Sequence, residues 1–280
     1  MKYILSIIKV IFLYAHAYAL PPFVFSSGVV VPLGTNWLTN AACEGAWYMN
    51  SAGDATELDV CTASSEDLVE TEGDTVAQSS TVPSGYSGNS KAFVLSEDEG
   101  LTIADGNNTD ISGADAELTI CAWVKHASWT GASSYIVSKF TASDDARQYR
   151  LRVDSTGYAK GGVSSGTAGS CLVGGTTESI DDVDIGDTNW HHICMVYDDV
   201  NIKLYVDGDV DLTGETNNNS AHTAGICPGN NAFYVGMYNP TAYQWDGLID
   251  EVIILSTALS PAEITGIYIY GIDGTRGAND

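Results

Sequence analysis

The sequence predicts an all-β fold, a sandwich or barrel, and three observations predict it. From residue 40 onward the chain reads as short apolar or alternating runs separated by clusters of Gly, Asn, Asp and Ser, the pattern of strands joined by turns. Helical periodicity is confined to one segment after Leu259. The chain has 280 residues, 44% of them hydrophobic and 10% aromatic, enough to bury one sizeable core in a class where single domains of this length are common.

Residues 1–19 join Lys2 to an apolar run and close on Ala17 and Ala19 around Tyr18, the pattern of a cleavable secretion signal. Lys9 and His16 interrupt that run, leaving it short of the about 20 uninterrupted apolar residues that span a bilayer. No later segment is apolar enough, so no membrane insertion is expected after cleavage. Residues 20–42 read as an N-terminal extension, 43–270 as the domain and 271–280 as a flexible tail. Within the domain, strands are expected over 45–49, 91–96, 100–104, 117–126, 134–140, 149–154, 190–198, 202–208, 232–238 and 248–255. The polar stretch 62–90 reads as a long surface loop. One short C-terminal helix follows Leu259: Ser260 caps it, Pro261 takes the first helical position and Glu263 completes a capping box.

The formal charge is −25, and cleavage after Ala19 would remove Lys2 and Lys9 and make it more negative still. Such a surface repels nucleic acid and anionic membranes and leaves divalent cations and neutral glycans as partners. Six cysteines behind a secretion signal argue for disulfides, and no CxxC spacing points to zinc. Cys43 and Cys61 flank one N-terminal loop, and Cys171 and Cys227 both lie in Gly-rich loops, which makes these two pairs the expected bridges. Cys121 and Cys194 fall inside strand patterns, where a buried free thiol and a bridge are both open. Sequons begin at Asn107 and Asn218.

The stretch "NWHHICMVYDDVNIKLYVDGD" places His191 beside His192. Successive side chains of a strand point to opposite faces, so the two cannot bind one ion. The expectation is one histidine hydrogen-bonded within the sandwich and the other at its surface. In "GLIDEVIIL" both alternating faces are apolar, so Asp250 and Glu251 bring charge into a strand expected to be buried on both sides. Calcium, which takes oxygen ligands, would answer that charge; hydrogen bonds from backbone N–H groups or a tyrosine hydroxyl to Asp250 would also do so. The acidic runs 96–100, 105–110 and 179–187 read as solvated loop faces.

The segments "ICAWVKH", "NWHHICMVYDDVNIKLYVDG" and "QWDGLIDEVIILSTALSPAEITGIY", in this order, resemble the laminin-G-like jelly-roll domains of the concanavalin A-like lectin and glucanase superfamily. The resemblance covers residues 43 to about 270. It implies two antiparallel sheets in a jelly roll and makes the histidine pair part of the family's Trp-His-His strand. It also implies that Asp250 resembles a structural calcium ligand, completed by backbone carbonyls and an N-terminal carboxylate, for which Glu44 and Asp59 are the positional candidates. Function stays open at this level, because one such fold hosts lectins, adhesins, enzymes and structural modules.

"ELDV", from Glu57 to Val60, resembles the start of the Glu-x-Asp-x-x-Glu motif of laminarinase-type glycoside hydrolases. Retaining enzymes need two carboxyls about 5–5.5 Å apart, and the run continues Val60, Cys61, Thr62, so the second catalytic Glu is missing. No catalytic residue is expected. Sugars are held by aromatic faces and hydrogen-bonding side chains in a loop-lined concavity, and Trp129, Tyr135, Tyr243 and Trp245 are the candidate ligand-binding residues. Trp245 precedes Gly in the family's motif, where an aromatic belongs to the core. The expected function is a secreted or cell-surface lectin-like module that binds extracellular glycan, stabilised by calcium and non-catalytic. The alternative is a structural or adhesion module that binds a cell-surface protein.

Overall fold

Alternation of apolar side chains along the strands builds two facing sheets, described in a computed structural model over residues 35–52, 56–71, 75–95, 99–105, 109–140, 147–167, 171, 176–208, 219–239 and 243–275. The expected secretion signal and the sequon asparagines Asn107 and Asn218 lie outside the described residues. In chain order the strands are β1 (Cys43–Trp47), β2 (Val69–Glu70), β3 (Ala77–Ser79), β4 (Ser90–Phe93), β5 (Leu101–Ile103), β6 (Leu118–His126), β7 (Ser134–Phe140), β8 (Arg147–Val153), β9 (Tyr158–Ser164), β10 (Thr176–Asp184), β11 (His191–Tyr197), β12 (Asn201–Val206), β13 (Asn219–Ala221), β14 (Phe233–Val235) and β15 (Gly247–Leu255). The first sheet has the order β13-β12-β11-β6-β15-β4-β3, with β1 also pairing β15; the second has the order β10-β9-β8-β7-β14-β5-β2. Every strand pairing is antiparallel. The architecture is a sandwich, as the strand pattern allows, and the jelly roll that the family resemblance implies.

Two apolar layers hold it. Leu118, Ile120, Ala122 and Val124 of β6 join Ile193, Met195 and Tyr197 of β11 in the core between the sheets. The opposite face of the first sheet, with Cys121, Cys194, Val196 and Ile253, is covered by the helix α1 (Pro261–Tyr270) and by the 3-10 turn Trp37–Thr39. Both ends of the domain therefore run past the expected limits. Trp37 and Ile272 are buried and Trp37 N–H donates to the Ile272 carbonyl, so part of the extension and the start of the tail belong to the core. The α1 capping box forms as expected: Glu263 N–H donates to Ser260 Oγ and Ser260 N–H donates to Glu263 Oε2. Gly271 ends the helix at φ 76°, with the Glu251 carboxylate 3.2 Å from where a Cβ would stand. Both facts favour glycine there.

All six cysteines are bridged: Cys43–Cys61, Cys171–Cys227 and Cys121–Cys194. The question left open for Cys121 and Cys194 resolves as a bridge, because the two stand directly opposite each other on β6 and β11. Other expectations change. The acidic run 179–187 is not a loop face, since most of it is β10. The stretch 62–90 contributes the short strands β2 and β3 and the start of β4.

Candidate functional site

The outer face of the second sheet gathers basic and aromatic side chains. Four of the chain's eleven Lys and Arg residues, Arg147, Arg150, Arg152 and Lys160, lie between positions 147 and 160. Tyr149, Leu151 and Val153 point into the core, so strand alternation turns Arg150 and Arg152 outward. Glu178 on β10 reaches both: its Oε1 lies 2.8 Å from Arg150 and 3.1 Å from Arg152. The gap it crosses is at Gly162 on β9, where an added Cβ would stand 2.9 Å from Glu178 Cγ. Lys160 pairs with Asp154 at 2.9 Å.

Three tyrosines border this charged row. Arg150 donates to the Tyr135 hydroxyl at 3.2 Å and lies over the Phe140 ring at 4.2 Å from its centroid. Tyr135 and Tyr238 are buried neighbours with ring centroids 4.9 Å apart, and Tyr243 stands 5.8 Å from each. Tyr243 is 54% exposed and held by its carbonyl, which accepts the Tyr135 N–H at 3.0 Å. Burial, then the neighbouring Tyr135, raises the Tyr238 phenol above its ordinary value, so it stays a neutral donor. The platform thus offers one free ring face and a fixed set of donors and acceptors, the two components that hold a sugar ring.

The other expected ligand residues go elsewhere. Trp245 is fully buried and stacks on His126 at 4.0 Å, which corrects its assignment to a ligand surface. Trp129 is partly buried, tilted against His126 and packed over Gly186. The notch it lines holds about 30 Å³, room for a water but not for a sugar ring. Burial lowers His126 to about 4, so this ring is neutral. Arg150, Arg152 and Glu178 were not foreseen, although alternation in "YRLRVD" already places both arginines on one face.

The carboxylates also redistribute. Asp250 is fully buried; its Oδ1 accepts the Glu251 N–H at 2.9 Å and its Oδ2 has no hydrogen-bond partner. Burial, with the charges of Glu251 and Glu57 adding to it, holds the Asp250 carboxyl well above the usual range. Glu44 and Asp59 do not join it. Glu44 lies beside the Ile254 and Leu255 end of β15, about 13–17 Å along the strand from Asp250, and accepts from Ser256 Oγ. Asp59 accepts the N–H groups of Ala46, Cys61 and Glu66. The expected calcium set of Asp250 with Glu44 or Asp59 is therefore not brought together. Among the described residues, the group of metal-type side chains within ligand reach is Cys121, His192 and Cys194, and its two cysteines are bonded to each other. Of the histidine pair, His192 is buried and lowered to about 4 by that burial. Burial also works against charge on His191, but contacts with Asp207 at 2.9 Å and Asp187 at 3.1 Å carry its pKa above the ordinary value.

A laminin-G-type family model described as the concanavalin A-like lectin/glucanases superfamily matches residues 95–265. The chain belongs to that superfamily. No curated protein sequence matches it. Among solved structures, this superfamily member is similar to the binding domain of Paraclostridial Mosquitocidal Protein 1, at 14% identity and a TM-score of 0.57 over 81% of this chain and 52% of that one. It is similar to the Botulinum Neurotoxin serotype G binding domain, at 11% identity and a TM-score of 0.56 over 81% and 50%. It is also similar to domain 4 of AbnA, a GH43 extracellular arabinanase from Geobacillus stearothermophilus solved with arabinotriose, at 16% identity and a TM-score of 0.53 over 77% and 98%. The chain spans about half the length of the two toxin domains, and at these identities the likeness is one of fold. No helix among the described residues is long and apolar enough to cross a membrane.

Proposed function

We propose that this chain is a secreted, non-catalytic module that binds extracellular glycan on the outer face of its second sheet. The observation that carries the reading is the exposed Tyr243 ring beside Tyr135 and Tyr238, next to the Arg150–Glu178–Arg152 row. A neutral glycan suits it, because Glu178 and Asp154 offset the basic side chains and the chain as a whole is acidic. Three disulfides and the signal pattern of residues 1–19 support secretion. A domain of similar fold solved with arabinotriose and two toxin binding domains support a binding role. The carboxylates of "ELDV" are engaged elsewhere: Glu57 accepts from Asn50 N–H and Ser51 N–H and lies 3.5 Å from Lys91, and Asp59 takes the three backbone N–H groups named above.

Removing a stacking anchor costs about 1–3 kcal/mol of affinity. Tyr243→Ala is therefore expected to weaken retention in gels containing arabinan, laminarin or mannan at least several-fold with the melting temperature unchanged. Equal retention of wild type and variant would overturn the site. Reducing sugar released from laminarin, and lost in Glu57→Gln, would overturn the non-catalytic reading. A second reading, adhesion to a cell-surface protein, is favoured by the exposed Leu58 and Val69 beside the Glu57–Leu68 bridge. It prevails if no polysaccharide retains the wild type while a surface protein is captured and lost on Leu58→Ser.

Calcium at Asp250 is a separate question with a separate test. The donor set there suits a proton better than calcium, so EDTA is expected to leave the melting temperature unchanged. A carboxyl raised on folding keeps a proton that the unfolded chain gives up above about pH 4. Stability is then lost as the pH rises toward the folded value. Asp250→Asn removes that loss and is expected to raise the melting temperature at pH 7 and flatten its pH dependence. A fall in melting temperature on chelation, abolished by the same substitution, would establish calcium instead.

A further inference from the structure

We propose that the opposite face of the sandwich carries a second sugar-binding pocket, walled by Trp123, Trp190 and Tyr268 with Asp207 and Ser84 at its edge. The cavity measures about 370 Å³, within the range of small-ligand sites. It lies where the start of β11 and the turn after β12 meet α1, on the side of the first sheet that faces away from the platform.

Its aromatic wall is preformed. Trp123 points out of β6 and stacks on Tyr268 of α1, with centroids 5.4 Å apart and planes at 28°. Its Nε1–H donates to the Tyr86 hydroxyl at 3.1 Å, which fixes the orientation of the indole. His192 lies against the same ring at 5.2 Å and is neutral for the reason given above. Gly208 lets Tyr268 approach, since a Cβ there would stand 2.6 Å from its ring. A wall already rigid loses little entropy when a ligand arrives.

The polar groups select the ligand. Trp190 lines the cavity while its Nε1 is shut in with no hydrogen-bond partner, and because a buried donor left unpaired is costly, a turn of the indole that brings Nε1 to an incoming oxygen acceptor is favoured. Asp207 holds the turn with one oxygen on the His192 N–H and the other on His191 Nδ1, yet its side chain stays 38% exposed. A carboxylate has lone pairs beyond those two contacts and can accept from a hydroxyl. One sugar ring meets all three demands: its C–H face covers an aromatic ring, one hydroxyl oxygen accepts from Trp190 and another hydroxyl donates to Asp207. A quaternary ammonium would leave the indole N–H unpaired, and an anion would meet Asp207 and the chain's net charge of −25. With the platform on the other face, the chain would hold two sugars at once, and a polymeric glycan would be bound with avidity.

The test uses the full chain labelled with ¹⁵N and titrated with arabinotriose, laminaritriose and mannotriose. The expected result is two equivalents of one of these sugars bound and a shift of the Trp190 indole N–H signal, assigned by its absence in Trp190→Phe. That substitution keeps a ring in place and is expected to weaken the pocket by about three- to tenfold, the loss of one neutral hydrogen bond. Tyr243→Ala is expected to remove the other equivalent and leave the Trp190 shift intact. A single equivalent, lost with Tyr243→Ala and silent at Trp190, would overturn the pocket and leave the platform standing. A single equivalent seen only at Trp190 would uphold the pocket and overturn the platform. A Trp190 region that responds to tetramethylammonium and to none of the three sugars would overturn the ligand class.

Discussion

Lys91→Met is expected to destabilise the domain by about 3–5 kcal/mol, the cost of removing one partner from a buried ion pair. Lys91 stands on β4 opposite Ile249, its side chain is fully buried, and its ammonium lies 3.5 Å from Glu57 Oε1 and donates to the Val76 carbonyl. Methionine fills the same volume but leaves Glu57 in a buried region whose other acids, Asp250 and Glu251, already act on one another. At about 2–4 °C per kcal/mol for a chain of this size the melting temperature should drop by on the order of 10 °C. The double variant Lys91→Met/Glu57→Gln removes both charges and should recover most of the loss. A single variant within 1 °C of wild type would show that the pair contributes nothing net.

The second large effect belongs to the Cys121–Cys194 bridge. It closes a sequence separation of 73 residues, and the loop entropy withheld from the unfolded chain corresponds to about 4 kcal/mol. Cys121→Ala/Cys194→Ala avoids burying hydroxyls in the layer beneath α1, so its cost reports mainly the lost bridge. Urea unfolding of the oxidised double variant against wild type measures it. An unchanged midpoint would mean that β6–β11 pairing already restricts the unfolded chain there.

What the sequence made legible follows burial. The runs that became β6, β11 and β15 are apolar on both faces because one layer of core lies between the sheets and another lies under α1. The helix was readable at its start because Ser260, Pro261 and Glu263 each act locally. β9 and β10 were not readable. Gly161 and Gly162 imitate a turn, yet each makes room for a side chain from elsewhere, Met195 and Leu204 in the core for the first and Glu178 on the outer face for the second. The acidic sequence of β10 looks like a loop because this strand lies at the edge of the sheet. Missing those two strands hid the platform, since Glu178 reaches Arg150 and Arg152 only once β8, β9 and β10 lie side by side. The second pocket depends on the packing of α1 against β6 and had no local signal at all.

The placement of the sulfur links also decides how the domain would carry a mechanical load. If tension were applied between the two ends of the domain, it would pass through the Cys43–Cys61 and Cys121–Cys194 bonds and then, through Cys171–Cys227, along residues 171–194 rather than 195–226. Glu178 lies on the loaded path, whereas Tyr135, Arg150 and Arg152 lie inside the segment between Cys121 and Cys171 that these links bypass. The strands that carry them could be unpaired only after the stretches outside had been drawn out, at about 3.3–3.6 Å for each residue released. Tyr238, Tyr243 and Glu178 lie outside that shielded segment, so force would strip the exposed ring and the bridging carboxylate from the platform while the strands carrying Tyr135 and the two arginines stayed paired.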